Sequence, residues 1–260
     1  MLFKLGLVAL TLISAHATDF TPGVLPMFVP GFFNFIARMV PDFSAAPVAD
    51  VLAQWFWNIE RWLGLLADSV MMAFLASIIG TFGALLLCFP ASYNLSSNYP
   101  VYFVCRRLLE FLRGVPDLVF AMVFVFAFGI GPWAGILAIG LHAAGALGKL
   151  FSEVNENIDL ATLDGIKAAG GGPFALIMKG IFPQVLPAYI SYGLLRFEIN
   201  VRSAAIIGIV GAGGIGVDLY MNIRGFAFQN VGAIMILIIL VVFAIDLICE
   251  RLRHAVIGPR

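Results

Sequence analysis

Apolar residues in this chain gather into long runs, and four of the runs approach or reach the roughly 20 residues a helix needs to cross about 30 Å of hydrocarbon. They are Ser69 to Ala91, Val115 to Ile130, Trp133 to Phe151 and Val231 to Ile248. A fifth, from Pro183 to about Ile209, is interrupted by Arg196, Glu198 and Arg202, and a shorter run from Leu2 to Ala17 opens the chain. The pattern predicts an all-α polytopic membrane protein of about six transmembrane helices. The opening run ends in Ser14-Ala15-His16-Ala17, so it reads either as a retained first span or as a cleaved secretory signal.

Between the first and second runs, residues 18–65 carry Pro22, Pro26, Pro30, Pro41 and Pro47, which argue against a regular span through the first half of the segment. An external connection is expected there. Trp55, Phe56, Trp57 and Trp62 follow, and such rings favour the headgroup layer, so the second half reads as an interfacial helix on the outer face. Two regions result: 1–65, a span or signal with its external segment, and 66–260, the transmembrane domain proper.

Basic residues near span ends favour the cytoplasm. With the amino terminus inside, Lys4, Arg106, Arg107, Arg113, Lys149, Lys167, Lys179, Arg251, Arg253 and Arg260 fall at inner ends, leaving Arg38, Arg61 and Arg224 outside. The polar segment 152–182 is then cytoplasmic. Composition agrees with a bilayer as solvent: 62% of residues are hydrophobic and 12% charged, against about 25% charged in soluble domains. Net charge is zero, which gives nucleic acid no attracting field. Cys88, Cys105 and Cys249 are scattered through apolar runs and read as packing residues, with no disulfide framework and no metal site.

Gly211-Ala212-Gly213-Gly214-Ile215-Gly216 fits the dinucleotide fingerprint G-x-G-x-x-G, but the region about 20 positions further on, Val231 to Leu240, lacks the acid that would hold a ribose. In a membrane protein, Gly211, Gly213, Gly214 and Gly216 instead suit a broken span, either as a gate or re-entrant loop on the outer side or as a site of tight packing. Gly148-Lys149 is followed by Leu150, so no phosphate-binding loop of the G-x-x-x-x-G-K-[ST] kind is present. Nothing predicts an enzyme or a cofactor on this chain, and energy for uphill transport would come from elsewhere.

In the segment 158–182, Ile158, Ala161, Leu163, Ile166 and Ala169 form a helical stripe that Gly170, Gly171 and Gly172 would end. Pro173 suits the opening of a second short helix and Pro183 that of the fifth span. The segment resembles the coupling loop of ATP-binding-cassette importer permeases, with Asp164-Gly165-Ile166 standing for E-A-A, Gly170 for the fixed glycine and Gly180-Ile181-Phe182-Pro183 for I-x-L-P. Over residues 106–253 the chain further resembles the permease subunit of phosphonate importers, through Gly129 to Pro132, Leu147 to Glu153, Pro183 to Pro187, Arg196 to Ala204 and Val210 to Gly216. The glycine run is more distantly similar to methionine-importer permeases.

The resemblance implies a methionine-importer-like fold in the cytoplasmic (inner) membrane and an ATPase-coupling site at Asp164, Gly165, Lys167, Ala169, Gly170 and Pro183. Implied partners are a second copy of this chain, a cytoplasmic ATPase dimer holding ATP and Mg, and an external or periplasmic binding protein. The cargo implied is phosphonate or a related small oxyanion, with phosphite, phosphate and methionine-like substrates as alternatives. An ion channel and an intramembrane lipid enzyme are the rivals from other classes.

Charges inside the fifth span require a partner or a cavity. Glu198 and Arg202 are four apart on one helical face, so Arg202, with Arg196, is expected to attract the anion while Glu198 holds Arg202; the alternative is a structural ion pair that orients the bundle. Asp117 is a further pathway candidate, or simply starts its helix. His142 is another, or is packed among small residues with one hydrogen bond.

Overall fold

The computed structural model describes residues 2–18, 23, 25–44, 46–96 and 98–257. Pro22 and Arg260, assigned above to the external connection and the inner carboxyl end, lie outside the described residues. Within them every regular element is helical: α1 (Leu2–Ala17), α2 (Leu25–Met39), α3 (Val48–Trp55), α4 (Ile59–Cys88), α5 (Tyr99–Gly114), α6 (Asp117–Phe128), α7 (Pro132–Glu156), α8 (Leu160–Ala168), α9 (Pro173–Ala175), α10 (Phe182–Ile207), α11 (Ile215–Arg224) and α12 (Phe228–Ile257).

Two compact units make up the chain, one of Met1–Trp57 with Ala227–Ala233 and one of Asn58–Phe226 with Ile234–Arg260. In the first, residues 25–39 form a helix where an irregular connection was expected. Pro26 lies in its first turn, where a missing N–H is no loss, and Pro30 removes a single intrahelical bond from an otherwise apolar run. Trp55 is 8% exposed and its Nε1 donates to the Gln229 carbonyl at 2.7 Å.

The expected interfacial helix is two elements. α3 stops at Trp55, and α4 starts after Asn58, whose φ of −114° is not helical. Trp62 therefore belongs to α4, where it is 1% exposed and serves packing instead of anchoring at a headgroup layer.

The second unit is built on α4 and α7, packed against each other over most of α7. Their approach depends on small residues: a Cβ on Gly80 would come within 2.6 Å of the Ala143 Cβ and 3.0 Å of the Gly140 carbonyl oxygen. On its other side α7 receives α5, where a Cβ on Gly145 would meet the Arg113 nitrogen at 2.6 Å.

Three helices are long and apolar enough to cross a bilayer, Ile59–Cys88, Pro132–Glu156 and Phe228–Val256, and two bent pairs raise the number to five if each pair is one span. α1 is a shorter apolar helix. The run read as Val115 to Ile130 is one limb of the first bent pair: α6 has 12 residues, about 18 Å at 1.5 Å each, and meets α5 at 89°. Pro116 causes the break, because it lacks an N–H and forces Val115 into extended backbone (φ −83°, ψ 123°).

The fifth span is more continuous than the prolines suggest. From Pro173 to Ile207 the chain is helical throughout, with a π-helical stretch over Leu176–Ile181 in which the Phe182 N–H reaches the Ile177 carbonyl, five residues back.

Gly80→Val is expected to destabilise the α4–α7 pair by about 1–3 kcal/mol, the range for overpacking a close contact. The apparent thermal midpoint in detergent measures this, with Gly64→Ala as control because nothing lies within 4 Å of that Cβ.

Candidate functional site

At one end of the second unit α8 is fixed at both of its ends. Asp159 caps the start, its carboxylate accepting from the Ala161 N–H at 3.0 Å. At the other end the Gly170 N–H reaches the Lys167 carbonyl and the Gly171 N–H the Ile166 carbonyl, both at 2.9 Å, the pair of bonds that defines a Schellman motif. That closure requires the left-handed backbone found at Gly170, whose φ is 79°.

Gln184 clips α8 to the base of α10, accepting from the Asp159 N–H at 2.9 Å and donating to the Gly180 carbonyl at 2.8 Å. Leu163 fills the notch left at Gly180, where a Cβ would lie 2.5 Å from its Cδ2. Behind the clip, Leu163, Ile181, Val185 and Tyr189 pack with Phe151 and Leu147 of α7, and Phe151 stacks on Tyr189 at 3.9 Å. Asp164, Gly165, Lys167 and Ala169 are all exposed on α8 and its cap, with Lys167 Nζ 3.4 Å from Asp164, while Pro183 lies in the first turn of α10.

Further along α10 are the charges of the fifth span. The expected pair within the helix does not form. Glu198 instead takes Arg253 at 2.9 Å, and Arg202 takes Asp246 at 3.2 Å. Both partners come from α12, whose residues 246 and 253 are two turns apart and face positions 202 and 198; partners from a packed neighbour displace the local pairing. Glu198 is buried, whereas the Arg202 and Asp246 side chains are about half exposed.

Arg196 is 9% exposed, and its Nε is buried without a hydrogen-bond partner. Asp117 begins α6, its Oδ1 accepting from the Leu118 N–H at 2.9 Å, and His142 Nδ1 is 2.9 Å from the Val115 carbonyl oxygen. Thus His142 and Asp117, from α7 and α6, flank the break in the first bent pair, while Arg202 and Glu198 belong to the separate α10–α12 set.

The glycine run forms the second break, where residues 176–210 meet α11 at 47°. Gly211, Gly213 and Gly214 have φ of 87°, 88° and 73°, and Gly208 is so close to Gly216 that a Cβ would meet its Cα at 2.7 Å. The freed backbone groups are satisfied from within the protein, as membrane depth requires. Ser69 Oγ accepts from the Ile215 N–H at 2.9 Å, and the Gly131 N–H donates to the Gly211 carbonyl at 3.1 Å. Arg61 holds Asp218 of α11 at 2.7 Å.

Sequence reasoning missed Asp246, Arg253 as a partner, Gln184 and Ser69. Asp246 had a usable signal, since an acid inside an apolar run is itself a marker. The other three are uniform with their surroundings until the helices are packed.

Residues 88–257 match the family described as binding-protein-dependent transport system inner membrane component. The chain belongs to that family. It is thus an inner-membrane transport permease, and its named relatives agree. The phosphate-import permease protein PhnE of Mycolicibacterium smegmatis is 33% identical over 96% of this chain, which spans 44% of that relative's length. The phosphite transport system permease protein PtxC of Stutzerimonas stutzeri is 35% identical over 83% of this chain and 74% of its own. Among solved structures, an inward-facing conformation of the MetNI methionine ABC transporter has the same fold, with a TM-score of 0.64 at 22% identity, over 77% of this permease and 97% of that chain.

The Schellman closure gives a direct expectation for the permease. Gly170→Val puts a branched side chain into left-handed backbone, costing about 1–2 kcal/mol or more. Hydrogen exchange at Gly171 should speed up, whereas Gly165→Ala, with nothing within 4 Å, should leave it unchanged.

Proposed function

We propose that this permease carries a phosphorus oxyanion, a phosphonate, phosphite or phosphate, into the cell at the expense of ATP hydrolysed on a partner chain. An external binding protein delivers the anion, a second copy of this chain completes the pathway, and a cytoplasmic ATPase holding ATP and Mg docks on α8. The chain itself catalyses no covalent step.

One observation carries the reading: α8, capped at both ends, is clipped to the base of the helix that also holds the buried Arg196. A push on α8 reaches that cation through the Gln184 clip and then along helix, which bypasses the turn of residues 169–172. Exposed Asp164 and Lys167 give an ATPase polar contacts, and Gly170 and Pro183 set the geometry of the joint. The phosphate and phosphite importers among the relatives support the choice of cargo.

Arg202 and Asp246 support the second copy. Half-exposed charges inside apolar spans need water or another protein surface, since hydrocarbon would cost several kcal/mol per ion. On this reading Arg196, His142 and Asp117 contact the anion, and Arg202 with Glu198 lies at the copy-to-copy face or the wall of the pathway. The Gly211–Gly216 break serves as the outer gate.

The test is uptake of phosphite and phosphate into proteoliposomes holding the permease, its ATPase and its binding protein. Arg196→Gln should lower uptake more than about tenfold, as loss of a charge-assisted hydrogen bond worth about 1.5–3 kcal/mol implies. Gly170→Val should leave the ATPase bound but its hydrolysis unresponsive to loaded binding protein. Normal uptake by Arg196→Gln at wild-type protein levels would remove Arg196 from the pathway, and a normal response in Gly170→Val would remove α8 from coupling.

A further inference from the structure

Two ion pairs join α10 to α12, and they are oriented differently. Glu198 and Arg253 are turned inward, with 7% and 22% of their side chains exposed, and already tie the two helices together. Arg202 and Asp246 are turned outward, with 52% and 49% exposed. One hydrogen bond, from Arg202 Nη2 to Asp246 Oδ1 at 3.2 Å, joins them, whereas a guanidinium has five donors and a carboxylate about four acceptor sites. Each group therefore has bonding capacity left on the outer surface.

Their surroundings are apolar. Beyond Arg196 the exposed positions of α10 are Ile199, Arg202 and Ile206, three and four apart and so on one helical face. On α12 the exposed Phe243 and Leu247 flank Asp246. Acyl chains suit the isoleucines and the phenylalanine but not the charges, and an aqueous pathway suits the charges but not their apolar frame. A protein surface that carries both kinds of group suits the whole face. A two-fold axis supplies one from the chain itself, because in an isologous contact residue i meets j while j meets i. A cation beside an anion is complementary to itself under that rotation.

We propose that this α10–α12 face is where two copies of the permease meet, with Arg202 of each copy set against Asp246 of the other. The four charges then alternate in sign around the axis, and the apolar residues beside them exclude water. The inference rests on the reading that the permease works as two copies, and it assigns Arg202 to their contact instead of the pathway wall.

The test is co-capture of two differently tagged copies of the whole chain, solubilised from membranes that hold neither ATPase nor binding protein. Arg202→Asp alone and Asp246→Arg alone set like charges across the axis, and each should lower self-capture more than about tenfold. Mixing the two variants should restore capture, because every contact across the axis is again between opposite charges although those within each copy remain alike. No pairing confined to one chain gives that recovery. Arg202→Gln sets no like charges within a copy, so it controls for misfolding, and it should lower self-capture to a smaller extent.

Mixed capture no greater than that of either variant alone would overturn the proposal, as would self-capture unchanged in Arg202→Asp; Arg202 and Asp246 would then be a solvated pair within one copy. Wild-type copies captured together only when the ATPase is present would also overturn it, and would leave the two-copy reading standing. Copies that stay apart even in the assembled transporter would sink that reading, and this inference with it.

Discussion

Hydrocarbon offers no hydrogen-bond partner and no dielectric screening, and each feature of this permease answers to that constraint. Helices satisfy their own backbones, and every regular element among the described residues is helical. Where helices break, the freed groups are taken up inside the protein: Ser69 receives the Ile215 N–H, and the Gly211 carbonyl receives the Gly131 N–H. Charges follow the same rule. Glu198 finds Arg253 and Arg202 finds Asp246, from a neighbouring helix. Arg196 departs from it, because its Nε is buried and unpartnered. Asn200 Oδ1, one turn further along α10, is likewise buried without a hydrogen-bond partner, and buried polar atoms of this kind are those that call for an explanation.

The same constraint explains how the two ends of the mechanism are joined. Away from water, packing and small residues hold helices together, hence the close approach of α4 and α7 at Gly80. Near α8, packing of Leu163 into the Gly180 notch and stacking of Phe151 on Tyr189 fix α8 to the bundle. The Gln184 clip spans the non-helical turn of residues 169–172 between α8 and α9, and from Pro173 to Arg196 the chain is helical, with Pro187 inside α10 and a π-helical stretch over Leu176–Ile181. That stretch precedes Pro183, which cannot donate a backbone hydrogen bond.

Much of this was legible in the sequence because local rules decide it. Three successive glycines after an apolar stripe announced the end of α8, and the left-handed φ of Gly170 is the local consequence. The Gly211–Gly216 run announced a break, and the failed nucleotide fingerprint pointed away from a soluble site. What could not be read was set by neighbours distant in sequence. Glu198 and Arg202 satisfied the spacing for a helical pair, but α12 offered better-placed partners. Pro22, Pro26 and Pro30 suggested irregular chain, yet two of these fall where α2 tolerates them. The aromatic cluster around Trp55 suggested one surface helix, whereas the break at Asn58 sends Trp62 into the interior. The contact of His142 with the Val115 carbonyl, beside Asp117, lies at the 89° bend, which no periodicity encodes.

The account as a whole requires α8 to be on the cytoplasmic side, within reach of an ATPase. A single cysteine at Lys167, an exposed position on α8, measures this directly when Cys105 is replaced by serine and the buried Cys88 and Cys249 are retained. A membrane-impermeant maleimide should label Lys167→Cys in inside-out vesicles, and bound ATPase should protect it. Labelling in right-side-out vesicles would put α8 on the outer face and contradict the account.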